Sequence, residues 1–321
     1  MSKFEQVNWG FLATGLIADW MANDLKGVPG VNIMAVGSRT IESANRFGDK
    51  YNIKNRHGSY EALVADPEVD AIYIASPHPW HLDHVLLALN AGKHVLCEKP
   101  FAMNVSEVES MARAARDNNR LLVEAVSAMW HPRMKRLVDY VKAGNIGEVV
   151  SIDSSFTFPA SLEGNYRLSP AMGGGALFDV GIYPLHAITA LIGDDASTVI
   201  KSCDVKIGPT GIDLTSRWQM SINDLITASG LASFEMPENQ SLIVRGEKGS
   251  AELVGTQAFT SWHSASSLRL GEQVEEFEAV DAYMLMIENF GKRIHGQESW
   301  VLPLETSLSV QKMLSQLQSS H

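Results

Sequence analysis

A chain of 321 residues, 45% hydrophobic and 20% charged, is too long for one average core and too apolar for a disordered chain, so two globular domains are expected. Its formal net charge of -11, with no basic run, argues against nucleic acid or an anionic membrane surface as a partner. Cys97 and Cys203 have no CxxC spacing, the first residues lack a signal-peptide core, and no run of about 18 apolar residues is unbroken, so a reducing, cytoplasmic setting is expected.

From the N-terminus, short apolar runs alternate with amphipathic stretches. Strands are predicted at Val7–Ala13, Val31–Gly37, Ala71–Ala75, His94–Cys97 and Leu121–Ala125. Between them Leu16–Lys26, Ala44–Tyr51, Leu82–Ala91 and Val105–Asn118 read as helices, the third stopped by Gly92 and the fourth opened by Asn104 with Glu107 as a capping box. Right-handed crossovers then give a doubly wound parallel sheet, a Rossmann domain over residues 1–124.

Beyond Glu124 the pattern changes. A helix at Pro132–Ala143 ends at Gly144, a strand follows at Val149–Phe158, and residues 197–277 carry strand-like runs with turns at Gly208–Gly211, Pro237–Asn239 and Gly246–Gly249. Helices at Ala282–His295 and Leu304–Gln318 close the chain. The expected second domain, 125–321, is α/β with a large, mostly antiparallel open sheet that binds substrate. An open sheet face of this kind invites self-association into a homodimer or homotetramer.

The first strand runs into Gly10-Phe11-Leu12-Ala13-Thr14-Gly15-Leu16-Ile17-Ala18. A dinucleotide fingerprint carries Gly at positions 13 and 15 and Gly or Ala at 18, so two of three positions fit. Gly15 lets the backbone approach a pyrophosphate held by the next helix, whereas Ala13 has a side chain that avoids positive φ. A little over twenty residues later the second strand ends at Gly37-Ser38-Arg39-Thr40 without a carboxylate. A hydroxyl and a guanidinium there suit a 2′-phosphate, favouring NADP over NAD; the competing reading of Arg39 is a solvated surface charge.

Together with that turn, two further segments carry a resemblance: Ala91-Gly92-Lys93-His94-Val95-Leu96-Cys97-Glu98-Lys99-Pro100 and Gly173-Gly174-Gly175-Ala176-Leu177-Phe178-Asp179-Val180-Gly181-Ile182-Tyr183. The chain resembles the Gfo/Idh/MocA oxidoreductases, which include glucose–fructose oxidoreductase and the dimeric dihydrodiol and xylose dehydrogenases. The resemblance implies a lysine, here Lys99, beside the nicotinamide and the reacting hydroxyl, and cofactor contacts from Gly10, Ala13, Thr14, Gly15, Leu16, Ile17, Ser38, Arg39, Glu98 and Lys99. It also implies contacts from Ser76-Pro77-His78-Pro79-Trp80-His81, where His78 stands in place of the usual Asn.

Removing a hydride from a carbinol requires the hydroxyl proton to leave too, so a base is needed near the carbon. Tyr183 is assigned the proton transfer and Lys99 the polarising and relay role, since an adjacent ammonium favours phenolate; the reverse assignment stays open. Asp179, Tyr183 and His186 fall at i, i+4 and i+7, one stripe if the segment is a single helix, although Pro184 argues for a kink or a new helix near Tyr183. That stripe reads either as a catalytic wall or as a partly solvated helix face. Trp130, His131, Tyr166 and Arg167 read either as substrate contacts or as packing. His78, His81 and His84 lack a carboxylate pattern, so no metal site is expected, and His84 and His94 are read as structural.

These readings describe an NAD(P)-dependent dehydrogenase that moves a hydride between a secondary alcohol of a sugar, polyol or cyclic diol and the nicotinamide. Two other classes are weighed: a glycosidase that oxidises its sugar transiently with tightly held NAD, and a catalytically silent dinucleotide sensor.

Overall fold

The computed structural model describes residues 6–161 and 164–320; the reading of residues 1–5 as free of a leader falls outside them. Six strands form a first sheet: β1 (Val7–Leu12), β2 (Val31–Gly37), β3 (Asn55–His57), β4 (Ala71–Ile74), β5 (His94–Glu98) and β6 (Leu122–Ala125). All pairs are parallel, in the order β3-β2-β1-β4-β5-β6. β4 and β6 are buried at every residue, the mark of parallel strands covered on both faces. The chain reverses its direction of winding between β1 and β4, and at such a switch point the carboxyl ends of the strands open a crevice.

The covering helices are α1 (Leu16–Asp24), α2 (Ile41–Tyr51), α3 (Tyr60–Val64), α4 (His81–Asn90) and α5 (Val105–Asp117). The Asn104 side chain accepts from the Glu107 amide at 3.0 Å, and Glu107 reaches back to the Met103 amide at 2.9 Å, so the predicted capping box forms one residue out of its usual register. β3 and α3 are additions to the predicted elements, since three and five residues are too short to show a period.

The second sheet has eight strands: β7 (Val149–Thr157), β8 (Thr198–Ile207), β9 (Asp213–Ile222), β10 (Ile226–Ser233), β11 (Asn239–Gly246), β12 (Gly249–Val254), β13 (Ser266–Leu270) and β14 (Gln273–Phe277). Their order is β14-β13-β12-β11-β7-β10-β9-β8, antiparallel except for β7 with β10. The fold is therefore the expected one: a Rossmann sheet and a mostly antiparallel open sheet. In β9 the residues alternate, with Leu214, Ser216, Trp218, Met220 and Ile222 buried; α7 (Ala176–Asp179) packs on β9, whereas α6 (Pro132–Lys142) packs on β12 and β13 and α8 (Ile182–Ile192) on β7.

Two compact units result. One holds the chain up to Ala125 together with Tyr283–Leu304, the other Val126–Ala282 and the chain after Leu304. Most of α9 (Ala282–Ile294) thus packs on the Rossmann unit, where Phe290 meets Trp9 at 5.1 Å between ring centroids, while α10 (Leu304–Gln318) returns to the second. A linear division into 1–124 and 125–321 makes no provision for that return.

The stretch Pro170–Ile192 is apolar and long enough to cross a membrane, yet 89% of the 18-residue apolar window within it is buried, and it is broken at Gly173–Gly175 and again at Val180–Gly181. It is the core of the second unit.

Candidate active site

In the first unit the β1–α1 turn takes the conformation a dinucleotide fold requires. Ala13 adopts φ 82 and donates its amide to the Gly37 carbonyl at 3.0 Å, so the chain accepts a left-handed alanine where glycine is customary, at a cost of about 1–2 kcal/mol. Gly15 is the N-cap of α1, has no capping side chain, and a Cβ built on it would meet no atom within 4 Å. α2, α3, α5 and α6 are each capped by a side chain, from Thr40, Ser59, Asn104 and His131. α1, like α4, α7 and α8, has no such side-chain cap, and its first amides, at Leu16, Ile17 and Ala18, follow directly on the open space at Gly15. A pyrophosphate fits that cradle, drawn by the amides and the helix dipole. Gly10 lies earlier, inside β1, where a Cβ would stand 2.8 Å from Ile72; its place in the fold is packing.

Ser38 is buried at the end of β2 with its hydroxyl 3.5 Å from that of Thr14, and Arg39 is exposed beside it. Tyr60, at the start of α3, feels the Arg39 charge and packs edge-on against the His84 ring at 4.7 Å. His84 in turn lies 2.9 Å from the Ser76 hydroxyl, and burial pulls its pKa down to about 4, so it is neutral at working pH. These contacts tie the end of β2 to the end of β4, the two sides of the crevice.

Pro77 leads into a 3-10 turn, His78–Trp80, whose first residue is buried. His81 is fully buried, with Nε2 2.8 Å from the Ser76 carbonyl and Nδ1 3.0 Å from that of Pro100. Both nitrogens are spent on backbone, so the sequence-based reading of His81 as a cofactor contact is corrected: it braces the segment after Lys99. His94 is structural as expected, accepting the Leu121 amide at 2.9 Å through Nδ1.

Lys99 is half-buried at the end of β5 and precedes a cis Pro100. Its neighbour Glu98 is buried; Oε1 accepts from the Tyr73 hydroxyl at 2.6 Å and Oε2 from the Lys99 amide at 3.3 Å. Burial raises the Glu98 pKa to about 7, opposed by the Tyr73 hydrogen bond and the Lys99 charge. A carboxyl raised in the folded state favours folding below the ordinary carboxyl range and loses that contribution as pH climbs through about 7.

In the second unit, Asp179 ends α7 and Tyr183 and His186 lie in α8, so the expected stripe is divided by a break at Val180–Gly181. Pro184 occupies the first turn of α8, where no amide bond is lost. Tyr183 is buried against Phe156 at 5.1 Å and Phe259 at 5.8 Å, and His186 is fully buried, which overturns the reading of a solvated helix face. Asp179 receives Arg167 Nε at 2.7 Å, and the Arg167 guanidinium lies over the Tyr166 ring at 4.7 Å. Gly174 makes this possible: a Cβ there would collide with the Arg167 carbonyl. Trp130 is buried in a 3-10 turn beside His131, whose Nδ1 caps α6 by accepting the Arg133 amide at 3.1 Å. Sequence reasoning missed Tyr73 and Arg133. A lone tyrosine in a buried strand and a cation after a helix-opening proline were the only signals for them.

A parallel dinucleotide sheet with an uncapped first helix, joined to a second unit with a large open sheet, defines a nicotinamide-dependent oxidoreductase. The chain belongs to the GFO/IDH/MocA oxidoreductase family: residues 7–125 match its NAD-binding Rossmann domain and 134–252 a C-terminal domain of that family. This is the family the three sequence segments resemble. Among its relatives, trans-1,2-dihydrobenzene-1,2-diol dehydrogenase of Mus musculus is 33% identical over 254 residues, 77% of this chain and 74% of that one. D-xylose 1-dehydrogenase (NADP(+)) 2 of Haloferax volcanii is 30% identical, covering 89% of this chain and 88% of its own. A 3-ketoreductase from Actinomadura kijaniata, solved with NADP and TDP-benzene, superposes with a TM-score of 0.87 at 26% identity over 98% of both chains. The aldose-aldose oxidoreductase of Caulobacter crescentus shares the fold, with a TM-score of 0.88 at 22% identity over 98% and 97% of the two chains.

Proposed function

We propose that the chain is an NADP-linked dehydrogenase that reversibly oxidises a secondary alcohol of a small sugar, polyol or cyclic diol. The observation that carries the cofactor choice is the end of β2, where buried Ser38 and exposed Arg39 stand without a carboxylate. Relatives named for dihydrodiols and for D-xylose with NADP(+) support the substrate class. Bound NADP supplies the hydride acceptor. Tyr183 takes the hydroxyl proton, Lys99 polarises the carbinol oxygen, Asp179 holds Arg167 in place, and Trp130, Tyr166 and Arg167 contact the substrate. Arg39→Ala is expected to weaken NADP binding at least about tenfold more than NAD binding, because only the 2′-phosphate loses a charged partner. Parallel fluorescence titrations of both dinucleotides check this; equal losses would remove the charge-recognition reading.

The same reading includes a homodimer or homotetramer formed through the outer face of the second sheet. Two rows cross that face by register: Asp204, Arg217, Leu231, Ser155 and Ser241, then Ser202, Gln219, Ser229, Asp153 and Ile243. All of these but Ile243 line a depression of about 380 Å³ whose charged groups are Asp153, Asp204 and Arg217, so acids and a base on one face are able to pair with those of a two-fold copy. Light scattering is expected to give a multiple of 35.1 kDa; a monomer at working concentration ends the idea. Free thiols at Cys97 and Cys203 support a reducing, cytoplasmic location.

A further inference from the structure

β4 places Tyr73 opposite Leu96 of β5 in parallel register, so Tyr73, Leu96 and Glu98 share one face of the sheet and the phenol reaches diagonally to the carboxyl. Phe11 of β1 lies alongside, its ring 5.1 Å from that of Tyr73, and closes the pocket with apolar surface. Inside it the Tyr73 hydroxyl donates to Glu98 Oε1, and Glu98 Oε2 accepts the amide of Lys99. The carboxyl therefore links a buried phenol to the backbone that carries Lys99.

We propose that Tyr73 is a positioning residue for the Lys99 site, acting through Glu98: its hydrogen bond fixes the carboxyl against the Lys99 amide and keeps a negative charge available beside the Lys99 ammonium. The inference rests on the reading of Lys99 as part of the reaction site.

The charged and titratable groups around the carboxyl are Tyr73 on β4, Cys97 on β5, Lys99 beyond it and Glu124 on β6, with Tyr283 on α9 acting on Tyr73. Glu124 pairs in register with Cys97 and so projects from the opposite face, whereas the Tyr73 hydroxyl donates to the carboxyl on the Glu98 face. Tyr73 itself stays protonated, since burial first and then the Glu98 charge push its pKa well above the usual value. It is a fixed donor. Burial holds Glu98 near neutrality, at about 7, and the Tyr73 hydrogen bond opposes that rise. Removing the hydroxyl therefore makes the carboxyl protonate at still higher pH and takes the charge from beside Lys99 in the working range.

The test uses the full chain with ¹³C-labelled glutamate, following carboxyl resonances from pH 5.5 to 9, with Glu98→Gln assigning the signal by its loss. The wild type is expected to show one carboxyl titrating near 7, and Tyr73→Phe to move it up by about one pH unit. An unmoved titration in Tyr73→Phe overturns the proposal, as does the absence of a near-neutral carboxyl that Glu98→Gln removes. Should Tyr73→Phe not fold, Tyr73→Trp, which keeps a buried donor, is expected to titrate closer to the wild type than Tyr73→Leu does; equal titrations overturn the idea. In NADPH production from D-xylose, Tyr73→Phe is expected to move the acid limb of kcat upward while the NADP Kd changes less than about twofold. Wild-type inactivity toward D-xylose, inositol and trans-1,2-cyclohexanediol would count against the dehydrogenase reading, and the carboxyl titration would still decide the role of Tyr73.

Discussion

Lys99→Met is expected to lower kcat by about 10²- to 10⁴-fold while the chain stays folded and NADP still binds within a few-fold of the wild type. The lysine stands at the mouth of the first unit's sheet, where His81 holds the Pro100 and Phe101 carbonyls from below and Glu98 holds the Lys99 amide. Methionine matches its length and keeps that backbone, so the loss reports the ammonium alone. Tyr183→Phe is expected to cost a similar factor, and the double variant little more than either, because groups that move one proton act as a unit. NADPH formation at 340 nm, with the substrate picked out by a panel of aldoses, inositols and cyclic diols, checks this. Unchanged turnover of Lys99→Met at saturating substrate would sink the assignment.

Arg133→Met is expected to destabilise the second unit by about 3–5 kcal/mol, because it leaves several buried acceptors without a donor. Arg133 is 2% exposed, in the first turn of α6. Its guanidinium donates to the carbonyls of Gln257 and Ala258 and to the Ser261 hydroxyl, each at 3.0 Å, with longer bonds to Ser267 and Val254. All five partners are uncharged, so dipoles alone compensate the charge; burial lowers its pKa to about 10, still protonated at neutral pH. One side chain thus ties α6 to β12, β13 and the loop between them. The measurement is urea unfolding followed by tryptophan fluorescence, with a lowered midpoint expected; an unmoved midpoint would show that the loop holds without it.

Much of the Rossmann unit was legible because its strands are continuous apolar runs and its helices carry local end signals: Asn104 with Glu107, Gly92, and the turn at Gly15. Most helix ends moved by only a residue or two, as at α5, whose cap is local chemistry, whereas α2 starts at Ile41 behind the Thr40 cap rather than at Ala44. β3 and α3 escaped because three to five residues show no period. His81 was misread for a different reason. A histidine near a cofactor motif looks the same whether its nitrogens face a ligand or two backbone carbonyls, and the carbonyls at Ser76 and Pro100 lie beyond the ends of separate strands, β4 and β5. The stripe of Asp179, Tyr183 and His186 failed in part because spacing counts residues along a single helix, whereas the chain breaks at Val180–Gly181 and starts another.

The sequence by itself determined the class of enzyme, through the turn around Gly15, the carboxylate-free end of the second strand and the Glu98-Lys99-Pro100 segment, because each works through neighbours along the chain. Only the tertiary structure decided that Ala13 adopts a left-handed φ, that Arg167 serves Asp179, that Tyr73 holds Glu98, and that Tyr283–Leu304 belongs to the first unit. Those are contacts between residues far apart in the chain or dictated by packing. Local propensity and periodicity carry no record of them, since a buried hydroxyl or guanidinium finds its partner only when the strands and helices around it have closed.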